Sequence, residues 1–350
     1  MNPISCLAIP IISLSLGHPF FAVRPPFLPE GVSRGDKPCP VLSRLIHDAD
    51  LPLSVRVATV GALHLFRNEE SREAFLALLG DPEPVLRRLA ADGLALKCQP
   101  RDETAHTALL RALGDEDPAV RRAVALAMGR IGADGAADAL VNALAFDNGK
   151  DPALREGLIQ AVELLGGPGV ERLLALADSG VEKDLATVVE AFHRMRTRPA
   201  AEALPTLLKN PHLRVSQRAE LVRAGANYLL SDPSVSIRPI LDYLLTHPDE
   251  AIAVRQAGLF LLEKAGPLPR EEKVQAWVLE QLKESDRDVR QAAIRVLGAR
   301  PEGARLVGRY FLDKKLPRDF LPQVAEALRR HAEKDPDAAA LLAEVLKSDP

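Results

Sequence analysis

Eight histidines and three cysteines are the side chains of this 350-residue chain best suited to metal or nucleophilic chemistry, and their spacing argues against both. His18, His47, His64, His106, His193, His212, His247 and His331 include no pair at i, i+4 and no His-Glu dipeptide. A metal site needs converging ligands held from behind, which single scattered histidines do not supply. Cys6, Cys39 and Cys98 are too few and too far apart for a disulfide framework. With no neighbouring His or Asp evident, Cys98 reads as a small, partly buried residue rather than a nucleophile. No Cys-x-x-Cys-His is present, so there is no signature for covalent c-type haem. "DNGKD" (Asp147 to Asp151) lacks the spaced acids and closing Glu of a calcium loop and reads as a solvated turn. "LGGPG" (Leu165 to Gly169) is followed by no Gly-Lys-Ser/Thr and reads as a helix stop with an adjoining turn. No catalytic residue, cofactor, metal or haem is expected.

The one dense charge cluster is "FHRMRTRP", with His193, Arg194, Arg196 and Arg198 in six residues. It suits an acidic partner, but Arg and Lys also favour a helix C-terminus, where they meet the negative end of the dipole, and Pro199 marks a break just beyond. Bulk charge points to no polyanion: the formal net charge is −3 and the pI near 6.3. Nucleic acid is not expected as a partner.

The elements that position these residues are announced by repetition. "GDPEPVLRRLAADGLAL" from Gly80 parallels "GDEDPAVRRAVALAMGRIG" from Gly114, and the frame recurs from Leu51, Lys150, Asp249 and Ser285. Each copy offers a turn, a helix start and an aliphatic-Arg pair. Anchored on the aliphatic residue, the copies fall at Val55, Leu86, Val120, Leu154, Leu185, Val215, Val254, Val289 and Val324, in steps of 30 to 39 residues. That step holds two helices and two turns. The Asp-Pro pairs at 81, 117 and 151 then act as punctuation, with Asp capping and Pro at the first helical position, and not as acid/base pairs. The position two after the anchor reads Arg88, Arg122, Glu156, Thr187, Gln217, Gln256 and Gln291, too mixed for a phosphate-tracking stripe.

One unit cannot stand alone. From Pro118 the apolar residues Val120, Val124, Ala127, Met128 and Ile131 share one helical face, and Ala108, Leu109, Ala112 and Leu113 face them from the preceding helix. Apolar surface is left over, so neighbouring hairpins must cover it. Aromatics are only 4% of the chain against 47% hydrophobic residues overall, which suits helices packed through Leu, Ala and Val.

The expected fold is therefore all-α: a right-handed α-solenoid of about nine helical hairpins over residues 45–345, with residues 1–44 as an irregular, Pro-rich N-terminal tail. Eight of the 28 prolines lie in the first 40 residues. Residues 4–16, ISCLAIPIISLSL, have the length of a signal-peptide apolar core, yet no Lys or Arg precedes them and Pro10 interrupts them. The run is too short to span a membrane. Localisation stays open between the cytoplasm and, if residues 1–22 act as a signal, export to the periplasm.

The repeated Val-Arg with an upstream Asp resembles HEAT repeats, including the phycobilisome-lyase-like HEAT family. The tetratricopeptide pattern would need more than one Trp and three Tyr, and the ankyrin T-P-L-H is missing. The stretches Leu140 to Gly180, Val188 to Leu213 and Arg218 to Leu230 are similar to the HEAT region of planctomycete-type secreted proteins that join a sorbosone-dehydrogenase-like propeller, a HEAT array and a cytochrome c domain. This chain shows neither the haem motif nor a block of short strands. The resemblance implies a scaffold that binds a protein or peptide on a concave face lined by the second helix of each hairpin. The alternative is the array subunit or remnant of a haem-dependent, membrane-associated dehydrogenase; a bilin-lyase-like enzyme lacks any nucleophile to carry it. Repeat rules are broken most in the middle units, so the partner-binding candidates are Arg122, Gln160, Glu163, Arg194, Arg196, Gln217 and Gln256.

Overall fold

The computed structural model describes residues 40–48, 50–66, 69–147, 149, 151–234, 236–266 and 272–348. Among them are nineteen α-helices, one short 3-10 turn (Arg318–Phe320) and no strand. The expected tail lies outside the described residues up to residue 39, and a helix begins at Pro40, across the expected boundary at 44/45.

The chain divides into two compact units at Leu164/Leu165. Unit 1 contains α1 (Pro40–His47), α2 (Leu53–Leu63), α3 (Glu69–Leu78), α4 (Pro84–Lys97), α5 (Glu103–Ala112), α6 (Pro118–Ile131), α7 (Ala136–Phe146) and α8 (Pro152–Leu164). Unit 2 contains α9 (Gly167–Ala177), α10 (Glu182–Arg194), α11 (Arg198–Leu208), α12 (Val215–Ser231), α13 (Arg238–Thr246), α14 (Ile252–Ala265), α15 (Glu272–Gln281), α16 (Arg287–Leu297), α17 (Pro301–Leu312), α18 (Leu321–Arg329) and α19 (Pro336–Lys347). Odd helices are the first arms of hairpins and even helices the second. This gives nine pairs and a terminal helix. The second helices stack side by side, α2 on α4, α4 on α6 and α6 on α8 in unit 1, and α10 through α18 in the same manner in unit 2.

Helix α6 shows why the repeat sequence folds this way. The Asp117 carboxylate accepts from the backbone N–H of Ala119 (2.8 Å) and Val120 (3.1 Å), Pro118 takes the first helical position, and Gly132 closes the helix at φ 63°. Val120, Val124, Ala127, Met128 and Ile131 are all buried. Asp151 caps α8 in the same way, through Ala153 and Leu154. The third Asp-Pro pair differs: α4 starts at Pro84, two residues beyond Pro82. Asp81 therefore aligns with Asp115 and not with Asp117, and both receive an arginine from the preceding hairpin.

That arginine is the second member of the aliphatic-Arg pair, and it fastens one hairpin to the next. Arg56 pairs with Asp81 and also donates to the Ile46 carbonyl. Arg87 forks onto Asp115 (Nε–Oδ2 2.7 Å, Nη2–Oδ1 2.9 Å) and donates to the carbonyls of Asp81 and Pro82. Arg255 reaches Glu284 (2.5 Å). Arg121 and Arg290 bind carbonyls of their own turns, and Arg155 binds Leu144 O and Asp147.

One anchor is displaced. Val215 is 40% exposed, whereas Arg218 makes the bond to the carbonyl five residues back (Leu213 O, 2.6 Å) that Arg121 makes to Glu116 and Arg290 to Ser285, and it pairs with Glu250 (3.1 Å). The frame position in α12 is Gln217, so the steps Leu185 to Gln217 and Gln217 to Val254 are 32 and 37 residues. A polar residue at the anchor hid this copy.

Candidate functional site: the exposed face of the second helices

In unit 1 the repeat frame lays out a grid on the exposed side of four parallel helices. At the position two after the anchor stand Val57 of α2, Arg88 of α4, Arg122 of α6 and Glu156 of α8. One turn on come Gly61, Asp92, Leu126 and Gln160. Leu65, Leu96, Arg130 and Leu164 follow after another turn, just past the end of α2 in the case of Leu65. Arg88, Arg122, Arg130, Gln160 and Gly61 are exposed, as are Leu96 (57%) and Leu164. Close helix packing sets the lateral spacing. A Cβ on Gly129 would lie 2.5 Å from the Ala161 carbonyl oxygen, and one on Gly157 would strike the stem of Arg122. Asp92 sits half-buried between Arg88 and Arg130. Burial pushes its carboxyl above the ordinary carboxylate value, against the pull of those two guanidiniums.

Of the sequence-derived candidates, Arg122 and Gln160 fall on this exposed grid of α6 and α8, and Glu163, half-buried, lies one residue before the exposed Leu164. In unit 2 the remainder separate. Arg194 and Arg196 lie at the C-terminal end of α10, where Arg194 pairs with Glu190 (3.0 Å) and Arg196 donates to the carbonyls of His193 and Met195. These contacts are those of a helix-end cap. Arg198 is occupied by Glu202. Gln217 accepts from the Arg214 backbone N–H at the start of α12, and Gln256 donates to Asp286 of the next hairpin from the first turn of α14. Gln217 and Gln256 are thus at the opposite end of the helix layer from Arg194 and Arg196. Sequence reasoning passed over Arg130, Leu96 and Leu126. The same repeat frame, read one and two turns beyond the position it compared, contains them.

Burial and the neighbouring Asp102 push the Cys98 thiol up to about 12, the reverse of an activated thiolate; that acid, four residues on, was not evident from the sequence. Asp147 of the "DNGKD" turn is taken by Arg155 and the Gly149 N–H, and Gly166 of "LGGPG" separates α8 from α9 at φ 64°. His64 lies tilted against the Phe75 ring, with its pKa lowered to about 4 by burial. Among the described residues no three His, Cys, Asp or Glu converge as metal ligands do, and no helix is long and apolar enough to cross a membrane.

The inter-hairpin ion pairs make stability depend on pH. The Arg72 fork on Asp102 (2.7 and 2.9 Å) holds that carboxyl at about 2, and Arg87 likewise lowers Asp115. Folded values below the unfolded one mean that this stabilisation is present above the ordinary carboxylate range and is lost as pH falls through the folded values. The urea midpoint should hold steady from about pH 7 to 5 and drop between about pH 4 and 2. A midpoint unchanged at about pH 2 would contradict the assignment.

Residues 72–163, from within α3 nearly to the end of α8, match the family model for HEAT repeats. That stretch is similar to HEAT repeats, and the described residues fold as stacked helical hairpins. Similar folds among solved structures include a chain of the AP-3 complex in an intermediate open conformation (13% identity, 87% of this chain and 64% of that one, TM-score 0.40). The Kap95–Nup1 complex (14%, 87% and 49%, 0.37) and the CpcE–CpcF complex of phycocyanin lyase from Nostoc sp. (21%, 79% and 94%, 0.29) are others. This chain thus spans less than two thirds of the AP-3 and Kap95 chains. At these identities the likeness bears on no activity. No curated protein matches the chain. The likeness to haem-dependent dehydrogenase proteins rests on the sequence phrases alone.

Proposed function

We propose that this chain is a non-catalytic scaffold that holds a protein or peptide partner on the face lined by its second helices, the expected concave face. The observation that carries the reading is the side-by-side stacking of those helices, which leaves rows of exposed side chains that the core does not use. In unit 1 the rows mix arginines with exposed leucines; in unit 2 they include Arg223, Phe260 and Arg295. Charged groups interspersed with apolar ones suit a protein surface better than a phosphate backbone. Cys98, made less reactive by burial and Asp102, and Asp147, paired with Arg155, support the same reading.

Photo-crosslinking in the cells that make the protein tests this. A photoreactive phenylalanine at Gln160 or Gln256, on second helices, should trap a discrete protein adduct, while the same residue at Leu110 or Glu171, exposed on first helices, should not. Adducts from the first-helix positions alone would overturn the reading.

A further inference from the structure

We infer that the exposed face of α4 and α6 is a docking site for an acidic, leucine-bearing peptide segment of the partner. The inference rests on the scaffold reading and adds where the partner binds and what its chemistry is. Three guanidiniums carry it. Arg88 and Arg122 occupy the same repeat position on adjacent helices whose axes lie roughly 8–10 Å apart, and the Arg122 stem lies over Gly157 of α8. Arg130 lies two turns beyond Arg122, about 12 Å along the axis. All three are exposed, and among the described residues none makes a hydrogen bond or ion pair. The arginines at the neighbouring frame position, Arg87 and Arg121, are by contrast bound to carboxylate or carbonyl oxygens.

The surroundings set the class of ligand. Within the α4–α6 part of the grid stands one acid, Asp92, half-buried between Arg88 and Arg130, and the exposed Glu156 follows Arg122 on α8, so the three guanidiniums outnumber the two carboxylates. On the α2 side the grid holds the open floor of Gly61, where an added Cβ would meet nothing within 4 Å, level with Asp92, and the exposed Leu96 of α4 stands one turn further on. A row of phosphates needs basic residues throughout, whereas a peptide alternating carboxylates with aliphatic side chains matches both halves of the surface.

The test is fluorescence anisotropy of the full chain with a short labelled peptide of repeated Glu-Glu-Leu units, alongside a Lys-Lys-Leu peptide and a single-stranded oligonucleotide of equal length. The Glu-Glu-Leu peptide alone should bind. Its affinity should fall at least about tenfold in Arg88→Glu/Arg122→Glu/Arg130→Glu and stay unchanged in Arg329→Glu/Arg330→Glu near the C-terminal end. Circular dichroism verifies folding, and the milder Arg→Gln set replaces the triple variant if it unfolds. Equal binding by the triple variant, or equally tight binding of the oligonucleotide, would overturn the inference. If the peptide does not bind while a cellular partner still crosslinks at Gln256, this inference falls and the scaffold reading stands. If no second-helix position crosslinks either, both fall.

Discussion

Replacing Arg87 with alanine should lower the stability of unit 1 by about 3–5 kcal/mol, the cost of removing one partner from a buried ion pair. Its side chain is 10% exposed and that of Asp115 is 9%, and the fork between them is supplemented by the carbonyls of Asp81 and Pro82. Alanine would leave the Asp115 carboxylate and two turn carbonyls without their donor in a place water reaches poorly. Arg121→Ala provides the comparison. Arg121 occupies the same repeat position but binds only the carbonyls of Asp115 and Glu116, so its loss should cost about 1 kcal/mol. Urea denaturation followed by circular dichroism reads both. Equal midpoints for the two variants would show that the link between hairpins contributes no more than a turn contact.

The second large effect concerns Gly129. The missing side chain lets α6 lie against the backbone of α8, for an added methyl would sit 2.5 Å from the Ala161 carbonyl oxygen and 2.9 Å from its Cα. Backbone cannot swing aside as the end of a side chain can. Gly129→Ala should therefore destabilise by about 1–3 kcal/mol through overpacking, despite alanine's better helix propensity. Gly61→Ala is the internal control. An added methyl there meets nothing within 4 Å, so the substitution should stabilise α2 by about 0.4–1 kcal/mol. Thermal midpoints moving in opposite directions are expected, and a stabilised Gly129→Ala would refute the close approach of the two helices.

The helical hairpins were legible in the sequence because each local signal agrees with the others. The aliphatic anchors all fall on second helices, Asp117 and Asp151 cap as their spacing implies, and the five apolar residues of α6 are all buried. Such features follow from chain-local geometry, the 3.6-residue period and the unpaired N–H groups of a helix start, and so need no knowledge of neighbours. The repeat frame failed at α12, where Gln217 stands at the anchor and Val215 offered a false one two residues early.

Partner choice between hairpins was decided only by the tertiary structure. Arg87 and Arg121 look alike in their local sequence, each following an aliphatic anchor and each six residues past an acid. The packing of one hairpin on the next gives Arg87 an acid across the boundary, Asp115. It gives Arg121 only its own turn, because Gly149 stands where that acid is found in the following hairpin. The candidate site divides in the same manner. Arg122 and Gln160 are exposed on second helices and Glu163 is half-buried, whereas Arg194, Arg196, Gln217 and Gln256 bond neighbouring groups. Charge type is written in the sequence. Whether a charge is spent on a neighbour or left facing solvent depends on which atoms lie within about 3 Å, and only the stacking of one hairpin on another fixes that distance.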